Sequence, residues 1–347
     1  MATVKKGYAR SNPQDLLDVL KGSRDDAVKL SQQVGVERAR VLLQEAERDL
    51  SYRLLSTDGL GGVASNRTFT QEQMRLTLKT IRESLTTLKG GLKKTLIDQG
   101  EQAAEQATDT MFSYLSEAGQ AFGGYDEIPN IKTVAVLDNA RRGVNSSILR
   151  RLAAAPEPNK PGRGILERYG EAVIGKFEQQ LQVGLITRKA WKDVRESLIT
   201  ESPFLQDAPL YWAERIVRTE TIGAYNRANW EVMRGVDEEL GDMCKILCAT
   251  FDNRTGADSY AVHGQIRKTE EAFDTWQGLI QHPPARPNDR EVIVPHRVAW
   301  PIPPYLAWKS DGEIAARWRA LGNKRPVPPR PEMTTIEIEK FGKQSTR

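Results

Sequence analysis

The stretch RTETIGAYNRANW, residues 218–230, is the part of the sequence that decides the fold of this chain. It sets Arg218, Thr219 and Glu220 into an otherwise apolar segment, which we predict to be a helix over 207–239. Charged side chains are costly to bury alone, because they lose the solvation that water gives them. We therefore expect these groups to pair with polar side chains from another part of the chain.

Two further polar stretches follow, FDNRTGADSYAVHG at 251–264 and HPPARPNDREVIVP at 282–295. Short apolar runs accompany them, MCKILCATF at 243–251 and EVIV at 291–294, and their length and composition predict two strands. Together with the helix before them, these strands predict a compact module that pairs a helical half with a small sheet.

In this order, the three stretches resemble the phage head morphogenesis family, the minor head proteins of the phage Mu F type, over roughly residues 163–296. The family pattern is a helix with Arg-Thr-Glu and a following Asn, a strand, Asp-x-Arg-Thr, a Gly nine residues later, and a late Pro-Pro-x-His-Pro-Asn-Cys-Arg-Cys. The matching positions here are Arg218, Thr219, Glu220, Asn226, Asp252, Arg254, Thr255, Gly264, Pro283, Pro284, Pro287, Asn288 and Arg290.

Four positions depart from that pattern. Ser259 stands where many family members carry a His or Cys, Arg286 replaces the late His, and Asp289 and Glu291 replace the two late Cys. Because the thiols and the imidazole of the family pattern are missing, we expect no metal or thiol role in this chain. The sequence has no Walker loop, GxGxxG or Ser nucleophile elbow, so we expect no cofactor.

We predict that the polar side chains of the motif fix the fold. Glu220 is expected to pair with Arg254, and Arg218 with Asp252, at the turn that follows the first strand. Two alternatives are that these charges face water or that they take part in catalysis. The other members of the predicted network are Thr219, Asn226 and Thr255, and the predicted turn positions are Gly264, Pro283, Pro284, Pro287, Asn288 and Arg290.

The region before the motif is dominated by helix formers, and its apolar side chains step by three and four residues. Such stripes fit an antiparallel helical hairpin, but they also fit docking on another subunit, since two thin stripes bury little core by themselves. We take them as candidate partner-binding seams, formed by Leu43, Leu50, Leu78, Ile81, Leu85 and Leu88.

Local signals place several helix ends. Thr70 with Gln73 predicts a capping box at the start of the second seam helix, and Gly59–Gly62 lie in the loop before it. Gly90 and Gly91 are expected to interrupt that helix, and Thr187 is expected to cap a short helix that carries Trp191.

Composition divides the chain along its length, since the first 190 residues contain no Trp and eleven of the eighteen prolines lie between 283 and 331. We predict a mainly α protein with a small α+β module. Its predicted parts are an elongated helical region at 1–155, a linker at 156–164, the head-morphogenesis-like module at 165–297, and an extended Pro- and Trp-rich tail at 298–347.

Charge and composition exclude several classes of protein. The 347 residues are 28% charged and 39% hydrophobic, which excludes a disordered chain, and two cysteines exclude a disulfide framework. Residues 1–297 carry 41 basic and 41 acidic side chains, so a dedicated nucleic-acid binder is not expected.

No stretch approaches the roughly 20 apolar residues of a membrane helix, and the first residues lack the apolar core of a secretory signal, so we expect an intracellular protein without a membrane contact.

Three further chemistries have partial signals. A zinc site would use Cys244, Cys248, His263 and either His282 or His296, but Cys-x3-Cys on a strand is not the usual knuckle. A His-Asn-His nuclease would use His282, Asn288 and His296 to hold a metal and activate water. An ADP-ribosyltransferase would need a Ser-Thr-Ser strand before Glu337-Ile338-Glu339, and the sequence has none.

The resemblance implies a non-enzymatic minor capsid protein that is associated with the portal vertex inside the procapsid and acts in head assembly. Its implied partners are the portal protein and other copies of itself, with the major capsid or scaffolding protein and genomic DNA as further candidates. A small-molecule substrate is not expected. The implied location is the virion, and the host cytoplasm during assembly.

Overall fold

A computed structural model of the chain describes residues 22, 25, 29–56, 67–123, 133–153, 164–202, 204, 207–250, 255–322 and 331–341. The protein is mainly α with one small sheet and one two-stranded hairpin, as the sequence predicts. The loop at Gly59–Gly62, most of the predicted linker, and Asp252 and Arg254 of the predicted network lie outside the described residues.

The helices and strands have the following bounds. A π-helical turn at Leu30–Gly35 leads into α1, and the helices are α1 (Val36–Ser56), α2 (Gln71–Phe122), α3 (Thr133–Ala153), α4 (Ile165–Ile186), α5 (Trp191–Thr200), α6 (Asp207–Leu240), α7 (Ala257–Val262), α8 (Asp311–Ala320) and α9 (Thr335–Phe341). The strands are β1 (Met243–Cys248), β2 (Ile266–Lys268), β3 (Phe273–Thr275), β4 (Gly278–Ile280) and β5 (Val292–Arg297). No helix in these ranges is long and apolar enough to cross a membrane.

The chain forms two compact units that are discontinuous in sequence. The helical unit comprises Leu30–Gln99 and Ser146–Glu220, and the sheet unit comprises Met1–Lys29, Gly100–Asn145 and Thr221–Arg347. Each unit combines segments from before and after the predicted linker, so the units do not follow the four sequential parts expected from composition. Composition does not mark these unit boundaries, because those at 99–100 and 220–221 fall inside the long helices α2 and α6.

The predicted partner-binding seams form the core of the helical unit. Leu43, Leu50, Ile81, Leu85 and Leu88 are each no more than 2% exposed, and Leu78 is partly buried. These side chains are therefore not available to a partner, and the partner-binding interpretation of the seams is wrong. The hairpin alternative fits, because further stripes on α4 and α5, including Phe177 and Trp191, supply the apolar surface that two thin seams lack.

Helix ends in this unit confirm one prediction and correct two. The capping box is present, since the Thr70 N–H donates to Gln73 Oε1 (2.9 Å) and the Gln73 N–H donates to Thr70 Oγ1 (3.3 Å). Helix α2 runs unbroken through Gly90 and Gly91, and a Cβ added at Gly91 would lie 2.8 Å from Leu42 Cδ2, so this glycine permits close helix packing. Thr187 follows the end of α4 and does not cap α5.

The sheet unit is built around β1. Strand β1 lies between β2 and β5 in a three-stranded antiparallel sheet, with Cys244 opposite His296 and Leu247 opposite Ile293. Strands β3 and β4 form a separate hairpin. The predicted strands at 243–251 and 291–294 correspond to β1 and β5, whereas the three-residue strands β2, β3 and β4 were not predicted because they are too short to show a period.

The segment after residue 297 adds helices to the sheet unit. Helix α8 begins with a capping box at Ser310 and Glu313, and the Arg317 side chain on this helix donates from Nε to the Thr255 carbonyl (2.8 Å). Helix α9 docks against β2 through Glu337, which is fully buried. The Pro- and Trp-rich tail therefore supplies contacts that hold the sheet in place, in addition to its extended stretches.

Candidate functional site

Asn226 fastens helix α6 to the outer edge of the sheet. The side-chain amide donates from Nδ2 to the Glu291 carbonyl (2.9 Å), and its Oδ1 accepts from the Ile293 N–H (2.9 Å). Strand β5 is an edge strand, so one buried side chain here satisfies a donor and an acceptor that a neighbouring strand would otherwise take. The predicted fold-fixing role of Asn226 is consistent with this geometry.

Thr255 and the turn before β5 line a polar cleft of about 180 Å³. The Thr255 hydroxyl donates to the Thr250 carbonyl, and the Thr250 hydroxyl donates to the Arg290 carbonyl (3.0 Å). The second and third stretches of the motif thus meet at one place. The motif residues along the cleft are Thr255, Pro287, Asn288 and Arg290.

The four positions that depart from the family pattern also lie together at this cleft. The Ser259 hydroxyl donates to Glu291 Oε1, and Asp289 Oδ1 accepts from Arg286 Nε (2.8 Å). The other Asp289 oxygen accepts from the backbone N–H groups of residues 285 and 286, at 2.9 and 3.0 Å. Hydrogen bonds and ion pairs therefore occupy the positions where the family pattern places thiols and an imidazole.

Glu291 has the least favourable environment for a charged carboxyl in this group. The residue is 7% exposed, and burial together with the neighbouring Asp289 charge raises the pKa of its carboxyl, although Ser259 and Arg286 partly oppose the shift. Its Oε2 has no hydrogen-bond partner in the described part of the chain. A buried carboxylate with one unsatisfied oxygen reduces stability at neutral pH.

Gly264 occupies a backbone position that needs a glycine. Its φ is +82°, and an added Cβ would lie 2.8 Å from the Trp308 backbone nitrogen and 2.9 Å from the Leu306 carbonyl oxygen. The positive φ agrees with the predicted turn role, and the close tail backbone gives a second reason for a glycine here.

Replacing Gly264 with alanine is expected to lower the free energy of unfolding by roughly 2 kcal/mol, because backbone atoms cannot move aside as a flexible side chain can. Gly241→Ala is the matched control, since Gly241 has a φ of +72° with nothing within 4 Å of an added Cβ. Urea unfolding of both variants separates backbone strain, which they share, from the clash. Equal losses would show that the tail does not constrain Gly264.

The other predicted turn residues lie in the segment before β5. The Pro283–Pro284 peptide bond is cis, and Asn288 has a φ of +66°. Asn tolerates this left-handed conformation better than most residues, which agrees with the predicted turn at this position. The Asp289 carboxylate closes the turn by accepting from the backbone N–H groups of residues 285 and 286. Asp289 is one of the four departures from the family pattern.

Two histidines are buried as neutral groups. His263 Nδ1 accepts from the Ala249 N–H (3.1 Å), which leaves Nε2 to donate to the Tyr305 carbonyl (3.0 Å), and burial lowers the pKa of His263 to about 3. His296 lies 3.2 Å from the Tyr114 hydroxyl through Nδ1, and burial lowers its pKa to about 4. Both side chains therefore serve packing within the unit.

Among the residues of the zinc and nuclease alternatives, Cys244 and His296 lie opposite each other on β1 and β5. His282 Nδ1 lies 2.9 Å from the Pro283 carbonyl oxygen, and its ring lies near Trp230. Burial raises the pKa of the Cys244 thiol to about 12. Within the described ranges, no group of three or more His, Cys, Asp or Glu side chains is arranged to hold a metal ion.

Lys245 on β1 is a buried amine that belongs to none of the sequence motifs. Its Nζ donates to the Gln281 carbonyl and to Gln281 Oε1, both at 2.8 Å, and lies 5.1 Å from the centre of the Phe273 ring. Burial lowers the pKa of Lys245 to about 7, against the opposing charges of Glu270 and Glu271.

The free energy of unfolding is expected to rise with pH between about 7 and 10, by at most about 1.4 kcal/mol per pH unit from Lys245 alone. In this window the unfolded lysine, with its higher pKa, binds a proton that the folded one has already lost. Lys245→Met should remove that share of the slope. Urea unfolding of both proteins across the window measures it, and identical slopes would contradict a lowered pKa.

The described contacts of the first motif stretch lie within the helical unit. Arg218 donates from Nη2 to Glu214 Oε2 (2.6 Å), and the other Glu214 oxygen accepts from Arg40 Nε (2.8 Å). Thr219 donates its hydroxyl to the Arg215 carbonyl (2.7 Å), and Glu220 is buried. Asp252 and Arg254 lie outside the described residues, so the Glu220–Arg254 and Arg218–Asp252 pairs both stay predictions.

Comparison of the chain with protein families, characterised proteins and solved structures finds no match.

Proposed function

We propose that this chain is a minor head protein of a phage or prophage, of the phage Mu F type, that acts by binding and not by catalysis. Its primary partner is the portal protein, inside the procapsid near the portal vertex. It contributes there to head assembly, and to DNA packaging or ejection. Other copies of the chain, the major capsid or scaffolding protein and the genomic DNA are its further contacts.

The observation that supports the proposal most is that residues of all three motif stretches meet in the sheet unit. Asn226 of the first stretch binds backbone groups of Glu291 and Ile293 in the third, and Thr255 of the second shares a cleft with Asn288 and Arg290 of the third. Residues that are far apart in sequence are thus joined by direct contacts. If the three stretches form one motif that determines the fold, their residues should contact each other. Three stretches that match by chance need not do so.

The test is co-expression of the full chain with the portal protein encoded by the same genome. A complex that survives size-exclusion chromatography supports the proposal. Because the two seams are buried, substitutions for this test belong on exposed apolar positions of the helical unit, such as Ile186 at 79% exposure and Tyr52 at 72%. Failure to bind the portal in both co-purification and cross-linking would contradict the proposal.

The alternative is a metal-dependent nuclease that uses His282, Asn288 and His296. The same purified protein, incubated with double-stranded DNA and Mg²⁺, distinguishes the two. Cleavage that disappears in His282→Ala and in Asn288→Ala would support the nuclease in place of the head protein.

A further inference from the structure

Two neighbouring depressions in the sheet unit share the wall formed by Ser259, Arg286, Asp289 and Glu291. One is the polar cleft described above. The other is smaller, about 30 Å³, and mainly apolar. Its apolar lining residues are Leu247, Val262, Trp276, Ile280, Pro283 and Ala285. A buried carboxyl group therefore stands between an apolar surface and a polar one.

The charges that line the apolar depression are unbalanced. Among the described residues of this lining, Asp258, Asp289 and Glu291 face one cation, Arg286, which is already paired with both aspartates. Glu291 has only the Ser259 hydroxyl on one oxygen, while its Oε2 has no hydrogen-bond partner within the described ranges. Among the described lining residues, three carboxyl groups against one guanidinium therefore leave an excess of negative charge when Glu291 is ionised.

A buried carboxylate without a cationic partner reduces stability. Glutamine has the same shape as glutamate and would remove the charge. The unpartnered Glu291 oxygen at the wall shared by the two depressions therefore points to a ligand that supplies a cation.

We propose that the two depressions form a binding site for an organic cation, an alkylguanidinium or alkylammonium group such as the end of an arginine or lysine side chain. The cation pairs with the Glu291 carboxylate, while its alkyl stem lies along the apolar lining. Trp276, which lines the apolar depression and is 37% exposed, supplies an aromatic ring. The inference does not depend on the proposed head-protein function.

The lining distinguishes this ligand from a metal ion. Hard divalent cations take six or more oxygen ligands and gain nothing from an aromatic or aliphatic wall. A guanidinium group, in contrast, is planar and weakly hydrated, so it pairs with a carboxylate and stacks on an aromatic ring at the same time. The mixed lining fits the second pattern.

Binding should strengthen as pH rises, because the cation pairs with the charged form of Glu291, which the burial and the Asp289 charge disfavour. The other charged groups around the site are Asp258, Arg286 and, in the polar part, Arg290. Since burial and the Asp289 charge raise the pKa of Glu291, its ionisation is the one that we expect to change on binding.

The experiment is titration of the full chain with agmatine, with butylammonium, and with a short peptide that contains one arginine, followed by NMR of the Trp276 indole and by calorimetry. We expect saturable binding, at least tenfold weaker in Glu291→Gln and several-fold weaker in Trp276→Ala. Glu238→Gln, an exposed carboxylate on α6, is the matched control and should bind as the original chain does. Tighter binding of the peptide than of agmatine would identify a polypeptide as the source of the cation, and equal binding a free small molecule.

A stability measurement keeps the test independent of ligand choice. Because the folded pKa of Glu291 is raised, its unfavourable charge appears as pH rises through that pKa, so Glu291→Gln should be more stable than the original chain at neutral pH and not below about pH 4. The proposal is overturned by the absence of saturable binding of all three probes. Undiminished binding in Glu291→Gln, or Glu291-dependent binding of Mg²⁺ or Ca²⁺ without binding of organic cations, would also overturn it.

Discussion

Replacing Glu337 with alanine is expected to lower the free energy of unfolding of the sheet unit by about 3 to 5 kcal/mol. Glu337 Oε1 accepts from the Ile266 N–H (2.6 Å) and from Arg267 Nη1 (2.8 Å), and Oε2 accepts from the Thr334 N–H (2.6 Å). Glu337 is 0% exposed and Arg267 is 5% exposed. The substitution would leave a buried guanidinium without its carboxylate, which is why the expected loss is large.

Glu339→Ala is the matched control, because Glu339 is exposed on the same short helix. It should change the free energy of unfolding by less than about 0.5 kcal/mol. Urea unfolding combined with hydrogen exchange of residues 331–341 measures both effects, and only Glu337→Ala should increase exchange of α9 and of the Ile266 amide. Similar losses in the two variants would mean that α9 is not anchored through Glu337.

Replacing Asn226 with alanine is the second change with a large expected effect, a loss of roughly 2 to 4 kcal/mol. The variant would leave the Glu291 carbonyl and the Ile293 N–H buried without their partners and would open a small cavity between α6 and β5. The most direct readout is the exchange rate of the Ile293 amide, since its acceptor is the deleted side chain. That rate should rise more than the rates at β1, which keeps its ladder with β2.

Asn139→Ala tests whether the effect belongs to the site. Asn139 lies exposed on α3, where its Oδ1 accepts from Arg142 (2.8 Å), so the same deletion removes a hydrogen bond that water can replace. We expect a change within about 0.5 kcal/mol. If Asn226→Ala lowers the free energy of unfolding no more than Asn139→Ala does, the hydrogen bonds of Asn226 do not hold α6 against the sheet.

The regular helices were predictable because their apolar side chains repeat along one face. The Leu43 and Ile81 stripes and the capping box at Thr70 depend only on residues near each other in the sequence, so they can be read without knowing the tertiary structure. The partner assigned to the stripes was not predictable, since a stripe shows that a face is buried and not what buries it. Here α4 and α5, from another part of the chain, complete the core.

The sheet was predictable only where its strands are long enough to show a pattern. Strands β1 and β5 have six residues each, whereas β2, β3 and β4 have three. The short strands are held by tertiary contacts, such as the hydrogen bonds of Gln265 to both the Asp274 N–H and the Asp274 carbonyl. No local rule predicts such contacts.

The candidate site shows the same division. Asn226 and Gly264 were predicted because each belongs to a recognisable motif, and each has a physical reason for its identity. Glu337 appeared only as part of a discarded enzyme signature, and Lys245 did not appear. Both residues are charged groups whose burial depends on partners distant in sequence, so their roles become visible only when the fold is known.

Cross-linking mass spectrometry of purified heads tests the proposal that this chain is a portal-associated head protein. We expect low-copy cross-links between this chain and the portal protein, with an abundance that is quantified before and after DNA release. Loss on release would add a role in ejection. Absence of the chain from both procapsids and mature heads, with no cross-link to the portal, would refute the proposal.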